Sequence, residues 1–371
     1  MNTKLMLSSV AALMGASQAY AADPTVYAVP EPEPLEYVRI CDTYGAGFFY
    51  IPGTETCLSI GGYVYYQIGA ESRGPGDTPP LTFHPGGELT DGWYKTVRTR
   101  VNFDARSQTD WGTLRSYVRV EANWDGTNGL GGGSDGPAYI DQAYLELGGL
   151  RMGYTESAWT STQAGGVSNY PGTHSWAGLG YGYMQRAQLS YTHTFGSGYF
   201  ATLSLEDDAL AGNGYIPDAV AKVGVNQGWG GAWAQFGYDE DFLGSDGYAA
   251  KVGLQWNLPN ATGSSVRVVG SYASNANDYS RGQFDKISAE WSALASYKHQ
   301  FTSNLSASVG AHYYRNLHAG LVTTNLDAYA AELSTVWTPV TNFEVRNELA
   351  YSKIDGLGGT VSGFMRFTRY F

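Results

Sequence analysis

The sequence predicts an all-β protein: a 16-stranded antiparallel transmembrane β-barrel with short periplasmic turns and long external loops. Three observations predict it. Side-chain polarity alternates with period two through most of the chain, the connections between alternating segments are short and long by turns, and the chain ends on an aromatic residue, Phe371. Composition narrows the field. Of 371 residues only 15% are charged, while Gly takes 49 positions and Tyr 29, an unusual mixture for a soluble enzyme. No apolar run reaches the roughly 20 residues of a membrane-spanning helix. Two Cys, six His and six Met leave little material for a metal cluster. A formal net charge of -12 argues against general affinity for nucleic acid or anionic head groups.

Three segments are expected. In residues 1–21, Lys4, an apolar stretch from Leu5 to Ala16 and the small-x-small pattern Ala19-Tyr20-Ala21 read as a Sec signal peptide cleaved after Ala21. Residues 22–57 form a periplasmic leader. Pro24, Pro30, Pro32 and Pro34 alternate there with Glu31, Glu33 and Glu36, which favours an extended arm. Cys41 and Cys57 then enclose a Gly- and aromatic-rich stretch. In an exported chain they most simply form one disulfide, closing a loop of about 15 residues and contributing roughly 3 kcal/mol. Two thiols fall short of a metal site.

Residues 58–371 are the barrel. Strands are expected at 58–69, 95–107, 112–124, 138–147, 149–155, 182–195, 199–206, 219–226, 229–238, 248–257, 264–274, 286–299, 304–315, 327–337, 342–353 and 360–371. The sharpest contrast lies in the second strand, where Val97, Thr99, Val101, Phe103 and Ala105 oppose Arg98, Arg100, Asn102, Asp104 and Arg106. A closed barrel in lipid turns the apolar parity outward and keeps the polar parity around water. Aromatic residues such as Tyr191, Tyr199, Trp256, Trp291, Tyr313 and Trp337 fall on the outward parity near strand ends, which suits interfacial girdles. The last strand, with Phe367 and Phe371, must pair with the first to leave no edge, and its aromatic end looks like an outer-membrane assembly signal. Arg369 departs from the usual pattern of such signals.

The stretch Tyr37 to Gly62, with Cys41, Asp42, the run Tyr44-Gly45-Ala46-Gly47-Phe48-Phe49-Tyr50-Ile51-Pro52-Gly53-Thr54-Glu55-Thr56-Cys57 and the pair Gly61-Gly62, resembles the alphaproteobacterial porins of the rhizobial and Brucella type. The ending Met365-Arg366-Phe367 through Phe371 resembles them too. The resemblance implies a homotrimeric diffusion porin of a Gram-negative outer membrane whose third external loop folds into the lumen. Its partners would be outer-membrane lipid and lipopolysaccharide, the outer-membrane assembly machinery, and the small hydrophilic solutes and ions that pass. No cofactor, metal or nucleic acid is expected.

In such a channel selection is by size and charge. The third long connection, about 156–181, carries Glu156, Ser157, Trp159, Gln163, Asn169, His174 and Trp176. A basic wall of Arg98, Arg100, Arg115, Arg119, Arg151 and Arg186 on the lumen parity would face Glu156 and set a transverse field at the constriction. A turn at 108–111 would pair Asp104 with Arg115, Arg98 with Glu121 and Arg100 with Arg119; the last, a like-charge pair, would be kept for function. The bland reading is a solvated wall balanced by neighbouring acids. Loop acids, among them Asp77, Asp125, Asp207 and Asp239, would ring the external mouth or be ordinary loop charge. The sign of ion selectivity stays open. Two alternatives remain: a sugar-type channel with an aromatic track of Tyr63, Tyr65 and Tyr117, and a barrel enzyme. The six histidines are dispersed with no Gly-x-Ser-x-Gly beside them, which speaks against the enzyme.

Overall fold

The computed structural model describes residues 39–72, 76, 78, 93–124, 137–160, 172–176, 179, 182–207, 215–240, 244–280 and 287–371. The expected signal peptide and residues 22–38 of the leader lie outside these residues, as do the loop acids Asp77 and Asp125.

Sixteen strands form the wall: β1 Cys57–Ser72, β2 Trp93–Thr109, β3 Gly112–Trp124, β4 Tyr139–Leu147, β5 Leu150–Glu156, β6 Gln185–Thr194, β7 Tyr199–Glu206, β8 Asp218–Gln227, β9 Gly230–Asp239, β10 Gly247–Asn257, β11 Ser265–Ala273, β12 Ala289–Thr302, β13 Leu305–Ala319, β14 Ala328–Val340, β15 Phe343–Ile354 and β16 Thr360–Tyr370. Each pairs antiparallel with its neighbours in sequence, and β16 returns to β1 from Val361↔Ser72 to Tyr370↔Tyr63. The ring therefore closes with no edge strand. Phe371 extends the seam by one pair, accepting from Gly62 N at 3.0 Å and donating to Gly62 O at 3.1 Å. Gly62 is required there: a Cβ would meet the Phe371 ring at 3.0 Å and collide with the Arg100 carbonyl. Two short strands, Phe48–Tyr50 and Val322–Thr323, add to the sheet without joining the ring.

The alternation holds as read. Leu203 and Val252 are each 59% exposed on the outside, whereas Tyr65 and Gln67 on the inner parity are 2% and 0% exposed. Tyr191, Tyr199, Trp256, Trp291, Tyr313 and Trp337 all face outward. This inside-out distribution is that of a barrel whose solvent on the outer side is hydrocarbon.

At the end of the barrel that carries the short turns, Cys41 and Cys57 form a disulfide with a Cα–Cα distance of 5.9 Å. Phe48–Tyr50 pairs with Cys57–Ser59, and Cys41, Phe48 and Cys57 make a small buried cluster. The Arg106 guanidinium lies over the Phe48 ring at 5.0 Å, so the cap is seated against the wall near the β2–β3 turn. Removing the bridge (Cys41→Ser with Cys57→Ser) should lower stability by about 3 kcal/mol. The check is the midpoint of guanidinium-induced unfolding, with the β-sheet signal of the folded variant unchanged.

Candidate functional site

The described parts of the connection that follows β5 lie inside the barrel. Ser157 and Thr160 begin a turn, with Ser157 Oγ donating to Glu206 Oε2 at 2.6 Å and Ala158 N to Glu206 Oε1 at 2.8 Å. Trp159 is 1% exposed, packs on Tyr279 with ring centroids 5.5 Å apart, and its carbonyl accepts from Gln235 Nε2 at 2.7 Å. On the far side, Arg267 Nη1 donates to the carbonyls of Gly172 (2.6 Å) and Thr173 (3.0 Å). His174 Nδ1 and Nε2 are 2.7 and 2.9 Å from Ser296 Oγ and Ser265 Oγ. Trp176 N donates to Glu348 Oε1 at 2.6 Å, and the Trp176 ring stacks on the Arg366 guanidinium at 3.6 Å. The described parts of the third loop, 157–160 and 172–176, thus lie inward against strands from β7 to β16, as the resemblance implied. Gln163 and Asn169 lie outside the described residues.

A second segment also turns inward. Between β11 and β12 the turn Asp278–Ser280 places Tyr279 (2% exposed) under Trp159, and Arg186 forms a buried ion pair with Asp278. Asp218, Asp239 and Asp278 bring carboxylate oxygens within 4.8 Å of one another. Arg186, the Tyr279 hydroxyl (3.2 Å from Asp218) and the amides of Asp278 and Glu240 donate into this trio, so protein groups compensate its charge. Asp239, expected at the external mouth, is instead 1% exposed inside the wall.

The face of β1–β5 opposite the loop carries the arginines in two tiers. Nearer the turns, Asp104 accepts in fork geometry from Arg106 (2.9 and 2.7 Å) and from Arg115 (2.9 and 2.9 Å). Glu146 accepts from Arg115 at 2.8 Å and from Arg151 at 2.8 Å. In the upper tier Arg100 pairs with Glu121, Arg98 reaches Glu121 at 3.3 Å, Arg119 pairs with Asp141, and Glu156 lies 3.9 Å from Arg119.

The register differs from the expected one by two residues. Arg100 faces Glu121, Arg119 faces Asn102, Arg98 faces Asn123, and the opposed like charges are Arg106 and Arg115. The turn is tighter than the sequence suggested: Thr109 pairs with Gly112 around Asp110 and Trp111, Thr109 Oγ1 donates to Gly112 O at 2.7 Å, and Gly112 takes φ 103°. Arg100 and Arg119 are therefore not a like-charge pair. Nor does Glu156 stand across the lumen from the arginines; it stands beside Arg119 on the same wall, so these charges do not form the expected transverse dipole. Arg186 lies apart from the other five, 4% exposed behind the inward segments.

Asp141 was missed by the sequence reading, and its position has a physical cause. A β-bulge, in which Arg119 pairs with Gln142 and Val120 with Ile140, leaves Asp141 as the extra residue and turns both Asp141 and Gln142 inward. The signal was a local break in alternation, Tyr139-Ile140 followed by Asp141-Gln142. Arg267, Lys298, Arg346 and Arg366 were missed because they lie on four separate strands, none of which carries the run of alternating arginines seen in β2. The tyrosines of the alternative sugar track are seats for guanidinium groups: Arg100 lies over Tyr63 at 4.9 Å, Arg366 over Tyr65 at 4.3 Å and Arg115 over Tyr117 at 5.0 Å.

Comparison with known proteins agrees with this geometry. The Porin subfamily matches residues 26–362. Porin Omp2b of Brucella suis biovar 1 (strain 1330) is 33% identical over 398 residues, covering 100% of both chains. Among solved structures, the outer membrane channel DcaP of Acinetobacter baumannii superposes with a TM-score of 0.64 at 15% identity, covering 87% of this chain and 99% of that one. OmpT of Vibrio cholerae in its trimer form gives 0.55 at 11% identity, covering 86% and 100%.

His174 provides a test of the loop's anchoring. It lies outside the spanning strands, and burial together with the nearby Arg267 and Lys298 lowers its pKa from 6.5 to about 3. A released His174 binds a proton that the seated one does not, so the anchoring is complete above about pH 6.5 and weakens as the pH falls towards 3. Current noise of the reconstituted channel should therefore rise between pH 7 and pH 4, and His174→Gln should remove most of that rise.

Proposed function

The chain belongs to the Porin subfamily, and from that premise we infer how its lumen selects what passes. The protein is an outer-membrane diffusion porin of a Gram-negative bacterium, and its relatives are channels rather than enzymes. One observation carries the finer reading: a lumen face of mostly covered side chains on which Arg98, Arg100, Arg115, Arg119 and Arg151 alternate with Asp104, Glu121, Asp141, Glu146 and Glu156, opposite an inward loop. These residues form the constriction for small hydrophilic solutes and ions. Because each guanidinium is paired with a carboxylate, the face is strongly polar but nearly neutral, and it admits ions of both signs while disfavouring apolar solutes, which cannot replace its hydration. An aromatic slide for sugars is disfavoured, since Tyr65 is covered by arginines.

The functional unit is a homotrimer in outer-membrane lipid and lipopolysaccharide, with Phe367 and Phe371 serving as the signal for the assembly machinery. Support for self-association comes from the wall height. β5 has 7 residues and β7 has 8. At about 3.3 Å per residue and a tilt near 45°, seven residues rise roughly 16 Å, short of an apolar band of about 25 Å. The outer face here, with Leu145, Tyr154 and Leu203 exposed, is better covered by a second copy than by lipid chains.

Replacing Arg100 and Arg119 together by Gln leaves Glu121, Asp141 and Glu156 undercompensated. The cation-to-anion permeability ratio, read from the reversal potential in a salt gradient, should rise at least about twofold; an unchanged potential would remove these residues from the constriction. Light scattering of the detergent-solubilised protein should give three times the mass of one chain, and a single-chain mass would overturn the trimer.

A further inference from the structure

Beneath the inward loop, on the side of the short turns, lies a chamber of about 950 Å³ that the arginine-lined face does not use. Its roof is Thr173–Trp176, and its floor comes from the turns after β8 and β10. Three cations line it, Arg267, Lys298 and Arg346, and among the described residues no carboxylate does. In a chain of net charge -12 that is a pronounced local inversion.

Register explains how the charges meet. Arg267 on β11 is opposite Ser296 on β12, which makes Lys298, two residues on, its diagonal neighbour on the inner face. Arg267 is held in place by Gln255 Oε1 (3.2 Å from Nε) and by the carbonyls of Gly172 and Thr173. Arg346 is occupied by Glu344 at 2.9 Å and Glu348 at 3.4 Å, and Glu348 also accepts from Trp176 N at 2.6 Å and Ser334 Oγ at 3.1 Å. Lys298 is half-buried and has no carboxylate within ion-pair distance among the described residues. Around it the chamber offers Ser264, Ser265 and Asn257 as neutral polar partners and Trp176 as an aromatic side.

We propose that this chamber is a binding station for a small organic anion carrying carboxylate groups, which Lys298 contacts directly, with Arg267 and Arg346 supplying the surrounding positive potential. The size suits the role: a cavity of 300–1,000 Å³ accommodates a small molecule. A mobile ammonium flanked by two fixed guanidinium groups binds an anion and releases it quickly, whereas a fork-fork clamp would hold it longer. The station lies off the face of paired charges, so an anion held there occupies the route between the constriction and the periplasm. The proposal rests on the channel reading above.

The test is single-channel current in potassium chloride with sodium citrate added on the side of the short turns. Citrate should reduce the current in a concentration-dependent way, more strongly from that side than from the other. Lys298→Gln should raise the half-blocking concentration about tenfold, and Lys298→Arg should restore block, while open-channel conductance without citrate stays close to the parent value. The neutral solute glycerol at equal concentration should leave the current unblocked. Block that is equal in the parent and Lys298→Gln, or absent in a conducting channel, would overturn the station and leave the channel reading intact. Absence of any conductance would overturn both.

Discussion

A strand in hydrocarbon has no water to satisfy its peptide groups, and the architecture depends on meeting that demand. Every N–H and C=O facing a neighbour must find it, which obliges the sheet to close. The seam between Thr360–Tyr370 and Cys57–Ser72 is where closure is completed, and the terminal Phe371 takes part through its own backbone. Closure then fixes side-chain parity around the ring. One set of residues meets lipid and the other meets the lumen, so a single-residue slip in any pair would move charges into hydrocarbon.

Inside, the problem is charge in a narrow space. Arginines on adjacent strands repel, yet the wall carries Arg106 directly opposite Arg115. Asp104 resolves that clash by accepting from both, and Glu146 continues the chain to Arg151. Tyrosine faces beneath the guanidinium groups add a second attraction, modest for each pair. The lumen face is thereby stiff without being strongly charged overall. The chamber under the loop follows a different rule, since its cations gather without lining acids.

Strand number, order and facing were legible in the sequence because they follow from period two and lipid exposure, both of them local. Register was not legible to the same degree. It turns on whether Thr109 or a residue before it opens the hairpin, and the side-chain bond of Thr109 to Gly112 decides this. The bulge at Asp141 shows the limit of parity counting, because one extra residue re-aims its neighbours and alternation then misassigns them. Contacts of the inward loop were least legible. His174 meets Ser265 and Ser296, more than ninety residues away, and nothing near His174 in the chain announces those partners. Arg267, Lys298 and Arg346 likewise become a group only when the closed barrel brings the adjacent β11 and β12 towards β15, three strands further round.

The inward loop has a mechanical side as well. A cylinder one sheet thick resists stretching around its circumference through its hydrogen bonds, but it is soft to flattening into an oval. Ala158 and Trp159 join β7 to β9, the turn Asp278–Ser280 reaches Arg186 on β6 and Asp239 on β9, and His174 with Trp176 joins β11 and β12 to β15. Each of these contacts is a strut between strands that are not neighbours in the sheet. Lateral pressure from the surrounding bilayer that would flatten the section must break such struts, so the calibre of the passage is kept by contacts inside the bore as well as by the wall.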